Sequence, residues 1–464
     1  MSRLGVPRWL VVTVVAVAVI PLGSVSQTAL DLSVLLTALV YVVVTVFWRE
    51  HIGARDLSRT ALVLAVLLAA YVAFQALDLP DNPFTHPMWK ETAPITGAAR
   101  RSISIDPAAS IAGIGALVAP FLLFAVAVTA AREDRSADRL LRALAAFGLI
   151  VALYGLFQLF FMPDKQLYFQ RRYFFSTLTS VFVNRNTTAT FLGITLVVLI
   201  GRMAGAGATV NWPSMLTRLT TPGRGGLSRR EWGVLVQALP IAVVGLSLLL
   251  TESRAGIAAS ALGVLVLIAA LARRRPGLDL EGEPPAGGLR RAVLVGAGII
   301  ALVLAVFGGR VLERAQQVSI VEDLRYCLLP SLARAAADNQ PFGTGFATFK
   351  LAFEPYRDVA CGLTGVLERA HNGYMEGLIT LGLPFVLVLA VVVLLLGRTF
   401  LRGLKQRNRF RWAGATGLAV LAVMLAHSAV DFSLQIHGVA MMAAAVLGAL
   451  AGLSRGRSAA PGFR

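Results

Sequence analysis

The sequence predicts an all-α polytopic membrane protein with about twelve transmembrane helices. Three observations predict it. The chain is 56% hydrophobic and only 15% charged, whereas soluble domains carry roughly 25% charged residues. The charge is gathered in short connections, leaving long stretches with none. Those stretches are near-continuously apolar for about 17–23 residues and do not alternate over about ten, so they read as helices and not as barrel strands. Lipid offers no hydrogen bonds to the backbone, and a helix satisfies its own.

In order, the expected spans are 9–26, 30–48, 60–77, 108–131, 141–161, 187–203, 232–250, 255–272, 291–308, 374–397, 412–430 and 437–454. The first follows only Arg3 and Arg8. It is longer than a signal-peptide core and has no convincing small-residue cleavage site, so it is expected to be retained. The seventh and eighth are joined by the short turn TESRAG. One transmembrane domain over 1–464 is expected, with a large periplasmic loop, partly helical, at 309–373.

The net charge of +18 could suggest nucleic acid, but its distribution excludes that partner. With both termini inside, about two thirds of Lys and Arg fall on the cytoplasmic side, as the positive-inside rule requires. Arg132, Arg135, Arg139, Arg142, Arg273, Arg274, Arg275 and the RTFLRGLKQRNRFR connection then anchor topology. Membrane lipids are the expected surroundings, and a bacterial inner membrane the expected location.

The cytoplasmic connections 204–231 and 273–290 are rich in Pro, Gly and mixed charge and read as linkers. The outer segments 78–107, 162–186 and 309–373 are long enough to fold. In the last, apolar residues recur at helical spacing from Val311 to Ala337, followed by the turn cluster DNQPFGTGF. A large ordered loop on one side suggests that the protein works there. That loop also holds Cys327 and Cys361, the two cysteines of the chain. A bridge between them would stabilise the fold by roughly 3–4 kcal/mol through loop closure; two unpaired thiols are the other reading.

Four polar clusters at membrane depth could carry chemistry, since ionisable groups there are costly and usually functional or paired. TESRAGIAAS at 251–260 places Arg254 at the outer end of two joined helices. Its planar guanidinium suits a phosphate or diphosphate, although pairing with Glu252 would explain it equally well. SVFVNRNTTATF at 180–191 places Asn184, Arg185 and Asn186 at a helix start, where capping is the ordinary role of Asn. LERAHNGYMEGLITLGLPF at 367–385 places His371 before a helix, where the macrodipole favours the neutral imidazole a general base needs. Local bonding to Asn372 or Glu376 is its structural alternative. In LAHSAVDFSLQIH at 425–437, His427 and Asp431 are four apart, which reads as a buried polar contact on one helix face. The chain has no Walker loop, HExxH, CxxC or zinc spacing. Neither a metal nor a cofactor is expected.

Taken together, these motifs resemble the O-antigen ligase / polysaccharide polymerase (Wzy-C-like) family of bacterial envelope glycosyltransferases. SISIDPAAS, TSVFVNRNTTATFLG, LLLTESRAG, LRYCLLPSLARAAADNQPFGTGFATF, AHNGYMEGLITLGLPF and HSAVDFSLQ occur in an order similar to that family's, over about residues 100–450. The resemblance implies a GT-C-like fold and a glycan donor linked to undecaprenyl diphosphate. It implies transfer at the outer face of the inner membrane to an acceptor hydroxyl on a lipid, another glycan or a protein, without nucleotide sugar. It assigns His371 as the catalytic residue and Arg254 and Arg325 to the diphosphate. Asn184, Arg185, Asn186, Asn372 and Glu376 would support them. Ligase-like and polymerase-like roles fit the motifs equally. The rival expectation is a secondary transporter or flippase, but the midplane is poor in charge and the two halves show no repeat.

Overall fold

The computed structural model describes residues 6–48, 55–97, 100–208, 210, 212–220, 226–272, 327–361 and 365–456. Helices dominate them. In chain order they are α1 (Val6–Val19), α2 (Gln27–Phe47), α3 (Arg55–Ala76), α4 (Met88–Thr96), α5 (Pro107–Ala130), α6 (Asp134–Phe161), α7 (Arg185–Gly207), α8 (Trp212–Thr220), α9 (Arg229–Leu235), α10 (Ala238–Leu250) and α11 (Arg254–Ala272). After residue 326 come α12 (Leu329–Asp338), α13 (Phe349–Ala352), α14 (Gly373–Leu381), α15 (Leu383–Gln406), α16 (Arg411–Ser428) and α17 (His437–Arg455). A two-residue hairpin, β1 (Lys165–Gln166) and β2 (Phe169–Gln170), follows α6.

Among the described residues, nine helices are long and apolar enough to cross a membrane, with α9 and α10 together forming one of them. Eleven of the twelve expected spans overlap described helices. The ninth, 291–308, lies outside the described residues, as does the 311–326 part of the expected loop helix. The expected span 374–397 needs correction. Its helix is broken at Gly382, which has φ +66°, and the membrane-length segment is Leu383–Gln406. Gly382 cannot be replaced by a larger residue in that turn, because a Cβ would lie 2.2 Å from the Pro341 carbonyl oxygen.

The helices are sorted by surface as lipid demands. On α2 the exposed residues Leu32, Leu35, Leu39, Val42 and Val46 form an apolar outer stripe. The buried inner stripe begins instead with the hydroxyls of Ser33 and Thr37. Ser33 Oγ lies 3.1 Å from His437 Nε2, and Thr37 Oγ1 donates to the Ser33 carbonyl at 2.6 Å. At the centre runs α17, nearly all buried, packed against α1, α5, α6, α15 and α16. Small residues make that close approach possible: a Cβ at Gly448 would meet the Ala127 Cβ and the Phe124 carbonyl oxygen of α5 at 2.8 Å.

One end of the bundle is tied by ion pairs: Arg202 and Arg142 with Asp138, Arg407 with Asp134, and Arg455 with Asp56. The connections 77–97, 100–106 and 162–184 and the segments 327–361 and 365–372 lie at the other end. Leu328, Leu332, Ala335, Phe349 and Phe353 of segment 327–361 form a small core with Ile379 of α14. The segment is closed by a disulfide between Cys327 and Cys361, with Cα atoms 5.8 Å apart. From α3, Gln75 Nε2 donates to the carbonyls of Phe342 and Thr380, and Tyr71 Oη to those of Phe342 and Leu381, pinning the segment to the bundle.

Candidate active site

Four chain segments meet at this end. The first is the start of α7. Asn184 caps that helix, its Oδ1 accepting from the Asn186 amide at 2.8 Å. The Asn186 side chain is buried and bridges two neighbours. Its Oδ1 accepts from Ser253 Oγ at 2.7 Å, and its Nδ2 donates to Asp431 Oδ1 at 3.1 Å.

The second is the turn from α10 to α11. Glu252 takes φ +53°, and Ser253 Oγ accepts from the Gly256 amide at 3.2 Å, starting α11 with Arg254 in its first position. Gly256 lets α11 approach α7, since a Cβ there would lie 2.4 Å from that of Ala189. The sequence Ser-Arg-Ala-Gly thus combines a cap, a cation and a close contact in four residues.

The third is the strand of chain entering α14. Glu376 is buried and accepts from Arg369 Nη1 at 3.0 Å and from the Ala370 amide at 2.8 Å. Burial raises its carboxyl pKa, while Arg369 and the Ala370 amide act in the opposite direction. Asn372 caps α14 through the amides of Tyr374 and Met375, both at 3.1 Å. Between these two anchors His371 is held at φ +51°. A non-glycine residue there is strained, and such strain persists only where surrounding structure enforces it.

The fourth is the turn after α16. That helix ends at Ser428, so Asp431 is not on its face and the four-residue spacing from His427 does not act as expected. His427 Nδ1 pairs with Thr190 Oγ1 of α7. Asp431, buried, accepts from Asn186 and from Ser433 Oγ and has its Oδ1 3.7 Å from His371 Nδ1. That distance exceeds a hydrogen bond, and Nδ1 has no hydrogen-bond partner among the described residues. The Phe432 ring stands edge-on to the imidazole, centroids 4.9 Å apart.

These segments enclose a cavity of about 890 Å³. His371, Asn372, Arg254, Asn184, Arg185 and Asn186 all line it. Arg185 also lies over the Phe174 ring, 5.5 Å from its centroid. Ala258, Ala259, Leu262, Leu329 and Leu332 supply apolar wall, and no carboxylate is among the described lining residues. The described lining is therefore cationic at Arg185 and Arg254 and apolar along α11. Of the residues expected from sequence, Glu376 stays outside the cavity and acts on residues 369–371 from behind. Arg325 lies outside the described residues. Asp431 and its link through Asn186 to Ser253 were not expected at His371. HSAVDFSLQ carried the signal, but assuming a continuous helix aimed Asp431 at His427.

The fold and site define a polytopic membrane protein with a cationic, partly apolar cavity at one end of its bundle. Residues 239–390 match the family model described as O-antigen ligase, so the resemblance read from the motifs holds over this segment. The matched segment includes Arg254, His371 and Glu376, while Asn186 and Asp431 lie outside it. No curated protein matches the chain.

Proposed function

We propose that this protein is an envelope glycosyltransferase that moves a glycan from an undecaprenyl-diphosphate-linked donor to an acceptor hydroxyl at the periplasmic face of the inner membrane. The observation that carries this reading is the meeting of His371, Arg254 and Asn184–Asn186 in one cavity with an apolar wall. An anionic head with a hydrocarbon tail matches such a lining. The same resemblance supports a GT-C-like architecture. The positive-inside distribution supports cytoplasmic termini, and the Cys327–Cys361 bridge near the cavity suits an oxidising compartment. A transporter would hold its polar site near the midplane, whereas this cavity is built at the ends of α7, α11, α14 and α16.

In the proposed step the acceptor oxygen attacks the anomeric carbon of the donor. The bond from that carbon to the diphosphate oxygen breaks, and the diphosphate keeps the electron pair. The acceptor proton passes to His371. With Nδ1 turned to Asp431, Nε2 is the ring nitrogen for that proton, and the carboxylate stabilises the imidazolium formed. Arg254 stabilises charge growing on the diphosphate, which counts most in a site poor in water. Arg325 shares that role by its motif. Donor and acceptor are both held at the membrane, so positioning replaces much of the entropy cost of their encounter.

The test is His371→Ala in membrane vesicles supplied with lipid-linked donor. Transfer should fall by at least about a hundredfold, the range of general-base catalysis, while insertion and thermal stability persist. Near-normal transfer removes His371 from the mechanism. Deletion followed by lipid analysis then separates the two transferase roles: accumulated lipid-linked polymer marks a ligase, accumulated single repeat units a polymerase.

A further inference from the structure

We propose that residues 166–175 form an aromatic foot that inserts into the membrane interface beside the cavity, taking the boundary of phospholipid headgroups and acyl chains as its partner. Tyr168, Phe169, Tyr173 and Phe175 are exposed by 93%, 60%, 63% and 51%. They continue the surface of Phe160 and Phe161, which are exposed at the end of α6, a helix long and apolar enough to cross the membrane. That continuity places lipid against the foot: a belt of aromatic rings at the end of a span sits where apolar and wet surroundings meet. Arg172, exposed in the same loop, complements anionic headgroups.

The foot is built and not a slack loop. Arg171 is buried, and its guanidinium donates to the carbonyls of Tyr173 at 3.1 Å, Pro163 at 3.4 Å, Phe175 at 3.5 Å and Thr177. At its base the Leu167 amide donates to Tyr154 Oη of α6 at 3.1 Å, and Gln166 Nε2 donates to the Phe182 carbonyl. Leu167 and Phe174 take φ of +54° and +60°. Left-handed backbone is disfavoured at bulky residues, so the surrounding bonds hold a shape the chain would not choose alone. The result turns Leu167 inward, sends Tyr168 outward, and brings Phe174, Ser176 and Thr177 into the cavity wall. The foot and this part of the cavity wall therefore belong to one hydrogen-bonded piece.

The test does not depend on glycan transfer, so its failure and that of the transferase reading are distinguishable. Both native cysteines are paired, so Tyr168→Cys, Phe169→Cys and Tyr173→Cys each give the full chain one labelling site. Each variant is labelled with an NBD fluorophore and placed in vesicles of phosphatidylethanolamine and phosphatidylglycerol. Emission should be blue-shifted and quenched at least about twofold by lipid spin-labelled high on the acyl chain, with little quenching by aqueous iodide. Leu394→Cys on exposed α15 gives the response of a lipid-facing site. Iodide quenching without lipid quenching at all three positions would overturn the proposal and make the foot a water-facing surface for a glycan or protein.

Discussion

Asp431 Oδ1 lies 3.7 Å from His371 Nδ1, with the carboxylate buried behind an imidazole that lines the cavity. Asn186 and Ser433 hold that carboxylate by hydrogen bonds, so it is fixed before any proton moves. A charge fixed beside the ring stabilises the imidazolium.

Asp431→Asn keeps the volume and removes the charge. We expect kcat to fall by about tenfold to a hundredfold, within the contribution of acid–base groups, with the donor KM nearly unchanged. Asp431→Glu should recover part of the loss. An unchanged kcat with a lowered Tm would make Asp431 purely structural.

Arg254 opens α11 at the cationic side of the cavity. A guanidinium grips two diphosphate oxygens, whereas an ammonium offers charge without the fork. Arg254→Lys should therefore retain a minor share of kcat/KM, and Arg254→Ala should lose about a hundredfold or more, the usual cost of removing one charge-stabilising donor. Equal rates for the two variants would count against diphosphate binding at this side chain.

The spans were legible because lipid imposes one rule on every helix, and long apolar runs obey it. The break at Gly382 was less legible, since the apolar pattern runs on through LGLPF and the turn depends on a contact with Pro341 far away in sequence. The cavity residues were legible for a different reason. Asn184, Arg254 and His371 each stand at a helix start, where polar residues interrupt apolar sequence. Asp431 escaped because its role depends on where α16 stops, and no Gly or Pro follows Ser428 to mark that end. The aromatic foot was visible as composition, but the buried state of Arg171 that shapes it required tertiary structure.

The Cys327–Cys361 bridge closes a separation of 34 residues around the small core beside the cavity. Loop closure of that length contributes about 3–4 kcal/mol in the chain-entropy model. Replacing both cysteines with Ser should make segment 327–361 the first site of proteolysis under mild denaturant, while the bundle stays intact. Protection equal to wild type would show that the pinning by Tyr71 and Gln75 suffices without it.

Glu376 predicts a pH dependence of stability with a definite sign. Burial raises its carboxyl pKa in the folded chain above the ordinary 4.5. The folded state then holds the proton more tightly than the unfolded one, so raising the pH favours unfolding. The contribution is complete below 4.5 and is lost as pH climbs through the raised folded value. Glu376→Gln does not titrate and retains a carbonyl acceptor for the Ala370 amide. Thermal unfolding in detergent across pH 4–8 should show the variant gaining Tm relative to wild type as pH rises, and levelling off once the wild-type carboxyl has ionised. Since Glu376 holds residues 369–371, kcat of the variant should follow the placement of His371 and not this titration. A relative Tm that falls with pH would mean that the Arg369 pair outweighs burial and lowers the carboxyl pKa instead.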